Sequence, residues 1–167
     1  MTTPLAAEPP APANPARRRA LAVLAAAAAG PLVLTACDKP TPIATVTVGT
    51  DSVHSEAECY NEGDEPLSTE QVKSCLTASK GIKTIKVHAD ETVRFGVEPD
   101  IADKGWALLL NGQPITEPLK RTYTTVPGSV FFNQQYGAQG DSTTVSIAKG
   151  DNQKAYGLWS FKLTKED

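Results

Sequence analysis

Residues 144–163 read Thr-Val-Ser-Ile-Ala-Lys-Gly-Asp-Asn-Gln-Lys-Ala-Tyr-Gly-Leu-Trp-Ser-Phe-Lys-Leu. Val145 and Ile147 alternate with Thr144 and Ser146 before the turn residues Lys149-Gly150-Asp151-Asn152, and Trp159, Phe161 and Leu163 alternate with Ser160 and Lys162 after them. Successive side chains on a strand point to opposite faces, so each run carries one apolar and one polar face. Two such runs joined by turn residues predict a hairpin of half-buried antiparallel strands.

The same period of two extends outward. Val46 and Val48 alternate with Thr45 and Thr47, Ile85 and Val87 with Lys86 and His88, and Val93, Phe95 and Val97 with Arg94 and Gly96. Trp106, Leu108 and Leu110 share a face. Asn111-Gly112 after that run is a type I′ hairpin signal, and Pro127-Gly128 marks another turn. About seven short strands then follow one another, the pattern of a sandwich. The expected fold is mainly β, an antiparallel immunoglobulin-like sandwich with one short helix. A cupredoxin-like Greek-key barrel is the alternative that periodicity does not separate from it.

The helix is expected near Thr69–Ala78. Ser68-Thr69-Glu70-Gln71 reads as a capping box, with Ser68 at the cap and Gln71 three residues on. Val72, Cys75 and Leu76 then fall on one helical face. Cys75 on that face is placed to reach Cys59. The third cysteine, Cys37, needs a separate explanation.

The N-terminal segment provides one. Residues 1–16 are rich in Pro, Ala and Thr and are expected to be disordered. Arg17-Arg18-Arg19 precede an apolar stretch, Ala20–Leu34, which is short for a membrane span of about 20 residues and is broken by Gly30-Pro31. This is the order of an export signal. The arginines also suit twin-arginine export, although Ala16 stands where Ser or Thr is usual. The stretch ends in Leu34-Thr35-Ala36-Cys37, which resembles the lipobox of bacterial lipoproteins. That resemblance implies a diacylglyceryl group on the Cys37 thiol and cleavage before Cys37. The chain then divides into a signal (1–36), a lipidated cysteine with a Pro-containing tether (37–43) and a β-sandwich domain (44–167). The implied location is the extracytoplasmic face of the cell membrane. The membrane itself is the first expected partner, and the compartment favours a Cys59–Cys75 bridge.

Composition narrows the function. Without residues 1–36 the chain keeps 13 Lys+Arg against 18 Asp+Glu, a mildly acidic balance that argues against a nucleic-acid partner. Blue copper needs two His, a Cys and usually a Met. The only Met is Met1, His54 and His88 are scattered, and the last strands carry neither His nor Cys. Zinc spacing is also lacking. There is no Gly-x-Ser-x-Gly elbow, and Asp51-Ser52-Val53-His54-Ser55 holds triad residue types only as neighbours. The acids Glu56, Glu58, Glu62, Asp64 and Glu65 lack calcium-loop spacing and read as a solvated loop. No catalytic residue, metal site or cofactor is therefore expected, and an enzyme is not. Trp106 and Trp159 read as core. Phe131, Phe132 and Tyr136 form the one stretch that could expose apolar and amide groups together, as a partner surface.

The mature chain also resembles a family of small actinobacterial lipoproteins classified as a domain of unknown function. The resemblance lies in Ala44-Thr45-Val46-Thr47-Val48, the Cys59/Cys75 pair, Ile101-Ala102-Asp103-Lys104-Gly105-Trp106, Asn111-Gly112-Gln113-Pro114 and Leu158-Trp159-Ser160-Phe161. It implies an envelope setting and carries no active-site residues. The leading expectation is a non-enzymatic binding or interaction module of the cell envelope, with an envelope protein as possible partner. A small-ligand or ion carrier is one alternative. A chagasin-type protease inhibitor, faintly echoed in Lys104-Gly105-Trp106, is another.

Overall fold

The computed structural model describes residues 40–78, 80–151 and 153–167. The export signal over 1–36, the motif Leu34-Thr35-Ala36-Cys37 and the start of the tether lie outside the described residues.

Among the described residues, ten strands form two sheets. The first sheet holds β1 (Ala44–Val48), β2 (Asp51–Ser55), β5 (Thr92–Val97) and β8 (Tyr123–Pro127), in the order β2-β1-β5-β8, all antiparallel. The second holds β3 (Cys59–Tyr60), β4 (Lys83–Val87), β6 (Trp106–Leu110), β7 (Gln113–Pro114), β9 (Ser142–Gly150) and β10 (Ala155–Lys165). The sheets do not close into a barrel, so the fold is a β-sandwich.

The alternation read from the sequence sets the layers. Val46, Phe95, Trp106, Leu108, Ile147, Trp159, Phe161 and Leu163 are all fully buried in one cluster fed by both sheets. The hairpin of β9 and β10 forms as expected, with Trp159 opposite Ile147 and Phe161 opposite Val145. Its turn is tied by Asp151, whose Oδ1 accepts from the N–H groups of Gln153 and Lys154, both at 2.8 Å. Those two bonds hold the Asp151 carboxyl below the usual range. At Asn111-Gly112 both φ values are positive, +47° and +83°, as a type I′ turn requires.

The second sheet contains one parallel pair, β4 on β10. The cause is the long β10. One of its edges is covered by β9 over nearly its whole length, while the other is shared end to end by β3 at Gly157–Leu158 and β4 at Phe161–Lys165. The chain between β3 and β4 crosses the outside of the sheet as α1 (Thr69–Thr77). Ser68 and Gln71 make both bonds of the capping box. Beneath α1, Leu67, Cys75 and Leu158 form a second, smaller core.

Two short helices were not anticipated. α2 (Pro99–Lys104) starts on a proline and ends at Gly105, with φ +89°, and buries Ile101 and Ala102. It is too short to show a 3.6-residue period. α3 (Gly128–Phe131) takes the place of the turn expected at Pro127-Gly128. Gly128 is required there because a Cβ would meet the His88 carbonyl oxygen at 2.5 Å. A single 3₁₀ turn follows at Gln134–Tyr136.

Candidate functional site

The expected partner surface at 131–136 is not one surface. Phe131 is fully buried and stacks on Phe95 at 5.7 Å in the core, Phe132 is half-buried against the same core, and only Tyr136 is exposed. The reason is the α3 turn, which rotates Phe131 inward while its neighbours run across the surface. Trp106 is also fully buried, and its Nε1 donates to the Arg121 carbonyl oxygen at 2.7 Å. It therefore presents no wedge of the protease-inhibitor kind.

Cys59 and Cys75 are joined in a disulfide with a Cα–Cα separation of 6.1 Å. The bridge pins α1 to the second sheet beside Leu158. His54 and Asp51 face opposite sides of β2, because they stand three residues apart on a strand. His88 follows β4 and lies 3.8 Å from Glu166.

The acidic stretch divides. Glu56, Glu62, Asp64 and Glu65 are solvated as expected. Glu58 is not. It is half-buried, and its Oε2 accepts from the Ser160 N–H at 2.7 Å. This bond fills the gap on the β10 edge between β3 and β4, so a carboxylate stands where a neighbouring strand's carbonyl would be. Burial pushes the Glu58 carboxyl up from 4.5 to about 7, against the bonds that favour its charge. Nothing in the spacing of the acidic run separates Glu58 from its neighbours.

A second cluster was also not read from the sequence. Lys149 is buried, with its Nζ 3.3 Å from the Tyr60 hydroxyl and 5.2 Å from that ring's centroid. Lys104 Nζ donates to the Gly63 carbonyl oxygen at 2.6 Å and lies 4.1 Å from the Tyr156 ring centroid. Lys104 thus holds the 61–65 loop through Gly63 and Asp64, while Lys149 holds Tyr60 in β3. Gly63, with φ +76°, sits so close that a Cβ would clash with Tyr60 and Lys149.

Among the described residues, the outer face of the first sheet is an exposed surface. Cross-strand register lays its outward side chains in two rows: Ser52, Thr47, Arg94, Thr125; and His54, Thr45, Gly96, Tyr123. Thr47 and Ser52 share a hydroxyl bond at 3.0 Å. Tyr123 is 65% exposed, the most exposed large aromatic among the described residues. A shallow hollow of about 510 Å³ lies at Gly96, walled by Ile43, Thr45, Glu98, Pro99 and Thr122. Three other hollows, of about 360 to 420 Å³, are likewise open to solvent. The one lined by Leu67, Val72, Ala107, Leu109 and Leu158 is the most apolar.

The entry of the chain is fixed. Pro42 is buried and its carbonyl oxygen accepts from Trp159 Nε1 at 2.8 Å. The Ile43 N–H donates to Glu98 Oε2 at 3.0 Å. Two residues read as spacer are thus part of the fold. Among the described residues no helix is long and apolar enough to cross a membrane. Compared with protein-family models, curated proteins and solved structures, the chain matches none.

Proposed function

We propose that this chain is a lipid-anchored, extracytoplasmic binding module without catalytic activity. The anchor is the diacylglyceryl group expected on Cys37, after cleavage between Ala36 and Cys37. The observation that carries this reading is the locked entry at Pro42. Only four residues separate Cys37 from Pro42, whose carbonyl is held by Trp159. Even a fully extended chain of that length reaches at most about 18 Å. A rigid sandwich on so short a leash is suited to presenting a surface beside the membrane. Two acyl chains give stable attachment where one is marginal.

Binding is favoured over carriage because the four hollows described above all open to solvent. The outer face of the first sheet offers a contact surface built from four strands.

Cell fractionation tests the anchor. The chain is expected in the membrane fraction, and Cys37→Ala in the unprocessed or soluble one; equal distribution of both would overturn it. Crosslinking at the cell surface tests the binding role. A defined partner supports it, and recovery of only abundant, unrelated proteins counts against it.

A further inference from the structure

We propose that the outer face of the first sheet, around Gly96, is a binding site for a carboxylate-bearing, uronic-acid polysaccharide, a reading that rests on the binding-module role above but not on the lipid anchor. Three features of that face converge. The first is the glycine. Gly96 lies mid-strand in β5 with an ordinary strand backbone, and a Cβ built there would meet nothing within 4 Å. Neither packing nor backbone conformation requires a glycine. A glycine inside a strand weakens it, and commonly marks a place where a ligand approaches the backbone.

The second is the aromatic beside it. Tyr123 is the direct cross-strand partner of Gly96. Its ring leaves the space over Gly96 open and is 65% exposed. An exposed ring next to a bare stretch of backbone is a platform and a floor for a flat apolar surface, such as the C–H face of a sugar ring. Tyrosine offers that surface with a polar tip and few degrees of freedom to lose. The hollow's walls then supply what sugar hydroxyls need: the Thr45 and Thr122 side chains as donors and acceptors, and the Glu98 carboxylate.

The third is charge. The domain is acidic overall, with 18 Asp+Glu against 13 Lys+Arg after residue 36. The two rows of this face carry Arg94 and His54 and no carboxylate; Glu98, a wall of the hollow, lies outside these rows and already accepts from Ile43 N–H. Arg94 is exposed and diagonal to Tyr123 across the β5–β8 pair, about 7–8 Å away in a regular sheet. That is the reach of one sugar ring and its carboxylate. A guanidinium pairs with a carboxylate in a planar, two-pronged fashion. Charge complementarity therefore selects an anionic glycan over a neutral one.

The test is retardation of the purified full chain, in non-ionic detergent, on native gels containing polygalacturonate, dextran or dextran sulfate. Retardation by polygalacturonate and not by dextran is expected. Tyr123→Ala and Arg94→Ala should each weaken it about ten-fold. Gly96→Thr is the decisive variant. It suits a strand better than glycine, so the melting temperature is expected to hold or rise, while the filled hollow abolishes retardation. Should Gly96→Thr fail to fold, the exposed Tyr123→Ala decides. The assignment is overturned if the native chain is not retarded, if dextran sulfate alone retards it, or if well-folded Gly96→Thr binds as the native chain does. A partner captured at the cell surface without polysaccharide binding would remove the glycan and keep the binding module. Loss of both would remove the module as well.

Discussion

Glu58 is the residue whose chemistry departs furthest from what its type suggests. Its folded carboxyl titrates near 7 in place of 4.5, chiefly because it is buried. Between those values the folded chain holds a proton that the unfolded chain has released, so stability declines as pH rises from about 4.5 to about 7. In Glu58→Gln an amide oxygen still accepts from the Ser160 N–H, and no charge is buried. The urea midpoint of Glu58→Gln relative to the native chain should therefore improve between pH 5 and pH 8. A constant difference would contradict the assignment. Ser146 and Ser160 offer a second residue-scale test. Their hydroxyls meet at 2.9 Å and both are buried. Changing either alone to Ala strands the other hydroxyl and should cost about 1–3 kcal/mol, whereas the double change should come close to neutral. Chemical denaturation of the three variants measures the coupling, and additive losses would refute it.

Among the elements, α1 depends most on a single link. Its buried side is small, with Cys75, Leu67 and Leu158 at its centre, and the disulfide closes a loop of 16 residues. Reduction is expected to lower the unfolding free energy by about 3 kcal/mol in the chain-entropy model. Hydrogen exchange in 69–77 should accelerate before that in β9 and β10. Uniform loss of protection would show that α1 is not a separate unit. α1 was legible because its capping box and apolar face are both local signals, and so were β9 and β10, whose alternation is long. β3 and β7 have two residues each and show no period. α2 carried its signals at Pro99 and Gly105, but six residues hold fewer than two turns. The parallel seat of β4 was hidden because strand direction depends on the crossover through α1, which no pattern within β4 encodes. The same limit applies to sites. The Phe131-Phe132 pair looked like an exposed patch, and one helical turn sends Phe131 into the core. Glu58 and Lys149 acquire their surroundings from residues roughly 90 to 100 positions away, which spacing cannot show.

At the scale of the whole molecule, the described residues form a sandwich whose chain entry is fixed at Pro42 and whose first sheet has an exposed outer face. Trp159 couples the two ends of the domain, since it sits in the core on β10 and holds the Pro42 carbonyl. Trp159→Phe keeps an aromatic core but leaves the buried Pro42 carbonyl without that donor, a cost of about 1–3 kcal/mol to which the lost ring volume adds. The expected result is a loss of stability with faster proteolysis near residues 40–43. Unchanged proteolysis would show that the entry is held by other contacts. The anchor proposed at Cys37 would set where the domain works. Mass spectrometry of the N-terminal peptide from purified membranes tests it most directly. The account expects a peptide that begins at Cys37 and carries a diacylglyceryl group. A peptide that runs through Ala36–Cys37 uncleaved, or one that begins elsewhere with an unmodified Cys37 thiol, would contradict it.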